Sequence, residues 1–223
     1  MVCLVLLIIN SLFGYNVYAY ENQQYPILKI IDTFTNCTEV TNKLPCGWYA
    51  TQSDVSMFSI ENEEANWFLK VRTKGGNTAI GKKCKLKVSQ YPILSWRWRV
   101  HKLPDGAKES VKELSDSGAG IYVIFHGIFK MNRVLKYVWS NSLPKGITVS
   151  SPYNGRTKII VLRNNMDKLG EWVLEEVNIL DDFRKNFNDE PPRVECIAIM
   201  SDSDNTKSLV EADYDDIRIR TLQ

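Results

Sequence analysis

Arg97 and Arg99 stand two residues apart in the run YPILSWRWRV, and in an extended strand that spacing puts both guanidiniums on one face. Planar five-donor groups set side by side suit a carboxylate, an acidic sugar or a structural ion pair. Aromatic residues are the other recognition chemistry available, since six Trp and ten Tyr offer flat surfaces on which the CH faces of a sugar ring can stack. In KYVWSN, Tyr137 and Trp139 share a face and Asn141 follows at the strand end, so core packing and ligand contact are both open for them. Tyr153, in SPYNG, falls on a turn and is the aromatic most expected to be exposed.

Oxygen donors gather in SDSDNTKSLVEADYDD, where Asp202, Asp204 and Asn205 fit a structural calcium, with Asp32 or Asp215 adding ligands. The stretch is not an EF-hand, because Lys207 and Asp213 occupy the positions where such a loop needs Gly and Glu. The competing reading is a solvated turn whose Asp and Asn side chains cap their own backbone.

Signatures of catalysis are missing from the chain. His101 and His126 are its two histidines, and there is no GxSxG elbow, HExxH helix, phosphate-binding glycine loop or paired CxxC. His126, in IYVIFHG, reads as a hydrogen-bonded strand residue rather than a base. Glu175 and Glu176 are adjacent, so on a strand they face opposite ways and cannot work as a pair. A non-catalytic module binding carbohydrate or another polar ligand is therefore the leading expectation. Two alternatives stand beside it: a polysaccharide-active enzyme of the cell envelope using dispersed carboxylates, and a structural or assembly protein that meets another envelope protein.

Short apolar or alternating runs must position these residues. WFLKVRT, YPILSWRWRV, GIYVIFHGIF, LKYVWS, TKIIVLR, EWVLEEVNI, VECIAIM and DDIRIRTL recur between Gly, Pro, Asn and Asp clusters, the pattern of an antiparallel sandwich rather than of βαβ units. Within YPILSWRWRV, Leu94, Trp96, Trp98 and Val100 point to the core while Ser95, Arg97 and Arg99 point away from it. Two short helices are expected, over KESVKELS (108–115) and over DDFRKNF, the latter with Asn178 or Asp181 as its N-cap. The fold expected is all-β, an antiparallel jelly-roll sandwich formed by residues 20–223 as one domain.

Residues 1–19 carry no charged side chain and include an apolar run from Val2 to Phe13, too short for a membrane span. Val17 and Ala19 suit the small-residue pocket of a signal peptidase, so cleavage is expected before Tyr20, with a periplasmic or secreted product and no membrane insertion afterwards. No Lys or Arg precedes the apolar run. The chain has 28 basic and 26 acidic residues, a balance that gives nucleic acid or an anionic membrane no electrostatic footing. Removing the leader leaves Cys37, Cys46, Cys84 and Cys196. The favoured bridge is Cys37 to Cys46, across TEVTNKLP, with Cys196 read as a buried free thiol.

The segments LSWRWRV, IYVIF, YVWSN, SPY, IIVLR, EWVLEEVN, DDFRKNF, IAIMSDSDNT and DYDDIRI occur in one order. That ordered series resembles a bacterial family of exported proteins, domain of unknown function 3047, over residues 28–220. The sequence departs from the family pattern at DSGAGIYVIF, where further acidic residues and an Arg are expected and Ser117 and Gly120 stand instead; the resemblance carries no ligand role for that turn. IDTF near the start and DYDDIRI near the end are similar to the first and last strands of galactose-binding-like jelly rolls. That similarity implies a sandwich with a face open to a sugar or peptide, and fold alone does not fix function.

Overall fold

A computed structural model describes residues 26–35, 44–127, 129 and 131–222. Along the chain run β1 (Leu28–Asp32), β2 (Trp48–Ala50), β3 (Phe58–Glu63), β4 (Asn66–Lys74), β5 (Ile80–Leu86), β6 (Ile93–Lys102) and β7 (Ala119–Phe125). They are followed by β8 (Arg133–Trp139), β9 (Thr148–Ser151), β10 (Asn154–Arg163), β11 (Val173–Asn178), α1 (Ile179–Phe187), β12 (Val194–Met200) and β13 (Leu209–Arg220). Each of the eight apolar or alternating runs contributes to a strand, so the expected β-rich fold is the one formed.

The strands make two sheets. The first has the order β11-β6-β13-β4-β3, with β1 paired to the second half of β13; the second has the order β2-β5-β12-β7-β8-β10-β9. Pairing is antiparallel except between β8 and β10. The sheets stack face to face as a jelly-roll sandwich, and their inner side chains form one continuous core.

Alternation along β6 sets this geometry. Leu94, Trp96, Trp98 and Val100 have no exposed surface, while Ser95, Arg97 and Arg99 on the other face are half-buried. Across the sandwich Trp96 meets Tyr137 of β8 with ring centres 5.7 Å apart, and Trp98 meets Trp139 at 5.8 Å. These large aromatics bridge the two sheets. In β13 the register shifts between Asp215 and Arg218, and Asp216 takes the left-handed conformation at φ 51°. That bulge lets Tyr214 and Ile217 both face the core although three positions separate them.

Helix α1 closes one end. Asn178 Oδ1 accepts the N–H groups of Leu180 and Asp181, the N-cap the sequence suggested, and Asn188 ends the helix in the left-handed region. The helix expected over 108–115 is a single 3-10 turn, Lys112–Leu114. Lys108 N–H bonds to the Leu114 carbonyl at 2.7 Å, closing the segment into a loop that tucks Glu109 fully inside. Burying a carboxylate there is incompatible with a solvated amphipathic helix.

Cys46 is disulfide-bonded, and its favoured partner Cys37 lies outside the described residues. Cys84 and Cys196 are free; Cys196 is buried, and Tyr49 OH donates to its sulfur at 3.1 Å. The leader assigned to 1–19 also lies outside the described residues. Among the described residues no helix is long and apolar enough to cross a membrane.

Candidate functional site

Two regions bring chemistry-bearing side chains together. One is the outer face of the first sheet. Arg97 and Arg99 project there from β6, and β13 lies alongside with Asp213 opposite Arg99 and Asp215 opposite Arg97. Arg97 Nη2 reaches Asp215 Oδ2 at 2.6 Å and Asn66 Oδ1 at 2.9 Å, and its Nε lies 2.6 Å from Asp216 Oδ2. Arg99 holds Asp213 Oδ2 at 2.8 Å through both Nε and Nη2, and its Nη1 meets Glu63 at 2.9 Å. His101 Nε2 meets the same Asp213 oxygen at 2.7 Å, while Asp213 Oδ1, buried, receives no donor. Burial pushes the Asp215 carboxyl up, opposed by the Asp216 N–H and the Arg97 charge.

Aromatic rings frame the arginines. In the β11–β6 register Val173 is opposite Trp98, so Trp172 comes beside Arg99. Its ring centre is 4.7 Å from the Arg99 guanidinium carbon and 5.2 Å from that of Arg97, and Phe68 meets it edge-on at 5.5 Å. Trp172 is half-buried and Leu174, on the same face, is exposed. Among the described residues no hydrogen bond or ion pair reaches Arg97 Nη1 or His101 Nδ1. Neither Trp172 nor Phe68 was singled out from sequence, although alternation in EWVLEEVNI already puts Trp172, Leu174 and Glu176 on one side.

The second region lies where β12 ends and β7 begins. These strands are antiparallel neighbours with Met200 opposite Gly120, so the residues after β12 meet those before β7. Ser117 N–H donates to Asp202 Oδ1 at 3.0 Å, and the Asn205 and Thr206 N–H groups donate to Asp116 at 3.1 and 2.7 Å. Asn77 Nδ2 donates to Asp204 Oδ2 at 2.9 Å. One carboxylate oxygen from each of Asp116, Asp202 and Asp204 lies within 4.8 Å of the others. Glu109, fully buried, accepts from Ser140 Oγ at 2.6 Å, and the buried Lys136 ammonium lies 5.1 Å from the Tyr122 ring centre.

Burial raises the Asp202 carboxyl to about 7, with Lys136 pulling it down and Asp116 and Asp204 pushing it up. Burial likewise raises Glu109, opposed by the Ser140 hydrogen bond and the Lys136 charge. Lys136 responds the other way: burial acts to discharge it, but Tyr122, Asp202 and Glu109 hold its proton more firmly than water would.

The residues expected to bind ligand therefore part company. Arg97 and Arg99 share the outer face as expected. Tyr137 and Trp139 do not reach any surface: both have no exposed area, because β8 is an inner strand and its alternation aims them at Trp96 and Trp98. Their polar atoms are satisfied inside, Tyr137 OH by Asp182 at 2.7 Å and Trp139 Nε1 by the Asn164 carbonyl at 3.0 Å. Asn141 is half-buried in the loop after β8. Tyr153 is exposed on its turn, but it belongs to the acidic end, where its OH donates to the Lys112 carbonyl at 3.0 Å and lies 3.4 Å from Asn205 Oδ1.

The expected calcium set divides as well. Asp202 and Asp204 come together, and Asp116 joins them. Asn205 contributes its backbone N–H while its side chain turns to Lys112 and Tyr153. Asp215 is on the outer face of the first sheet, held by Arg97, and Asp32 binds Trp48 Nε1 at 2.7 Å and Lys82 Nζ at 2.6 Å. Both are excluded from the cluster by the strands that carry them. Glu175 and Glu176 face apart as alternation requires, the first bonding Trp98 Nε1 and Arg163, the second Arg220.

A family model described as "Protein of unknown function (DUF3047)" matches residues 47–218. No curated protein matches the chain. Solved structures that are similar include the family 11 carbohydrate-binding module of the cellulosomal cellulase Lic26A-Cel5E of Clostridium thermocellum, at 12% identity, 87% of this chain, 95% of that one and a TM-score of 0.44. The family 30 carbohydrate-binding module of the same organism's Cel9D-Cel44B gives 9% identity, 81% and 94% coverage and a TM-score of 0.44. The Caldicellulosiruptor saccharolyticus module CBM27-1, solved with mannohexaose, gives 12%, 86%, 96% and 0.41.

Proposed function

The chain belongs to the DUF3047 family, and we propose that it is an exported, non-catalytic binding module that holds a carbohydrate or another polar ligand on the outer face of its first sheet. The observation that carries this is the half-buried Trp172 ring set against the Arg97 and Arg99 guanidiniums on the outer face of the first sheet. A planar apolar surface bordered by donors is what recognition of a polyhydroxylated ring requires. Arg97 Nη1 and His101 Nδ1 have hydrogen-bonding capacity to spare for a ligand. The carboxylates at the centre of the face, Asp213 and Asp215, are committed to arginines, which favours binding over acid–base catalysis.

A glycan array probed with the full chain, and with Trp172→Ala beside it, tests the reading. Binding to a defined glycan set that falls at least about tenfold in Trp172→Ala, with the melting temperature little changed, is expected. Equal binding by both proteins, or binding to no glycan, overturns it. Export has a separate test: mass spectrometry of the extracytoplasmic fraction should find a mature N-terminus at Tyr20, and an intact Met1 terminus recovered in the cytosol contradicts it.

A further inference from the structure

We infer that the segments 115–118 and 201–205 hold a hard divalent cation, of the calcium class, through the carboxylates of Asp116, Asp202 and Asp204. Charge is the first argument. Asp116, Asp202 and Glu109 are buried and Asp204 half-buried, and among the described residues Lys136 is the one buried ammonium beside them. Buried carboxylates without matching positive charge are costly, and one lysine does not balance this set. A divalent cation would.

Geometry is the second argument. The three aspartate oxygens lie within 4.8 Å of one another, and two oxygens bound to one cation at about 2.4 Å each can be no farther apart than about twice that distance. Each aspartate already has a backbone or amide donor fixing it, so the oxygens are held in place. Ser117 and Glu109 supply an independent sign of a missing partner. Both residues are completely buried, yet Ser117 Oγ and Glu109 Oε1 make no hydrogen bond. The Ser117 hydroxyl lies near enough to the Glu109 carboxyl to hold it down, but not in full hydrogen-bonding geometry. Ser117 directly follows Asp116 and gives its N–H to Asp202, so the residue with the unsatisfied hydroxyl links two of the three aspartates through its backbone. Native interiors rarely leave such atoms unpaired unless an ion or water completes them.

The donors are all oxygens, which selects hard cations over the softer metals that prefer imidazole or thiolate. A bound ion would tie the loop after β6 to the loop after β12, next to the exposed Tyr153. This site is independent of the sugar-face reading, sharing no residue with it.

The test uses calcium chloride titrated into the EDTA-treated full chain by calorimetry, with thermal melts in parallel. Binding of about one equivalent in the micromolar to millimolar range is expected, with a rise in melting temperature as calcium stabilises the native state. Asp204→Asn, at a half-buried position, is expected to keep the fold and weaken binding by at least about tenfold. No heat and no melting shift up to about 10 mM calcium, or unchanged affinity in Asp204→Asn, overturns the inference.

Discussion

The outer face of the first sheet and the acidic end of the sandwich both collect carboxylates, but they handle the charge in opposite ways. On the sheet face Asp213 and Asp215 are each matched to an arginine at 2.6–2.8 Å, with His101 and Glu63 extending the network. At the loop end the acids outnumber the buried lysine, and burial pushes Asp202 and Glu109 up. One region is a neutralised surface with spare donors at its margin. The other is a buried site short of positive charge. The contrast teaches that acidic residues clustered in sequence say little until the counterions are known: SDSDNT and DYDDIRI look alike as strings and differ completely in their partners.

Mutations that remove the partners should break that contrast in measurable order. Trp98→Ala gives the baseline for losing a buried core aromatic and should cost about 3–5 kcal/mol in urea unfolding, because Trp98 fills the space against Trp96 and Trp139. Lys136→Met should approach that cost, about 3 kcal/mol, since it removes the buried ammonium that offsets Asp202 and Glu109. If the acidic end binds a cation, added calcium restores part of this loss in Lys136→Met; equal stability of wild type and Lys136→Met without calcium would show that the lysine is not the counterion.

Arg99→Ala sharpens the other side. It leaves Asp213, which has no exposed surface, with His101 as its remaining partner, so a cost of about 2–3 kcal/mol is expected. Arg97→Ala should cost less, about 1–2 kcal/mol, because Arg97 is partly solvated and the buried Asp215 it leaves behind keeps the Asp216 N–H. Both should weaken ligand binding. A loss of stability in Arg99→Ala as large as in Trp98→Ala would make Arg99 purely structural and move the ligand contacts toward Trp172 and Arg97.

The sandwich was legible because strand periodicity is local: the alternation in SWRWRV alone assigns Trp96 and Trp98 to the core and the arginines to the outer face. What was not legible is which face of β8 turns inward. Tyr137 and Trp139 were rightly placed on one face, but alternation does not say whether that face meets the core, which depends on β8 pairing between β7 and β10. Asp116 was missed for the same kind of reason. It directly precedes one strand and Asp202 closely follows another, and only the antiparallel pairing of β7 with β12 makes them neighbours. Helix 108–115 failed because its polar face carries Glu109, which tertiary structure pulls inside.

The smallest effect concerns Tyr137 and reads its burial directly. Its OH donates to Asp182 Oδ2 at 2.7 Å, and the Asp182 carboxyl is raised by burial while the Tyr137 hydrogen bond pulls it back toward the ordinary range. A raised carboxyl favours the protonated form in the fold, so its contribution to stability is full below the ordinary carboxylate value and is lost as pH rises through the folded value. Tyr137→Phe deletes the donor that serves the ionised form. Little should change in acid, where Asp182 is protonated in both states, and about 1 kcal/mol should be lost near neutral pH, where a half-buried carboxylate lacks its donor. The difference in unfolding free energy between wild type and Tyr137→Phe should therefore grow with pH from about 3 to 7. A difference independent of pH would mean that the hydroxyl matters only for packing. A weaker ligand affinity in Tyr137→Phe at unchanged stability would mean that Tyr137 reaches ligand after all, which its position between the sheets opposite Trp96 argues against.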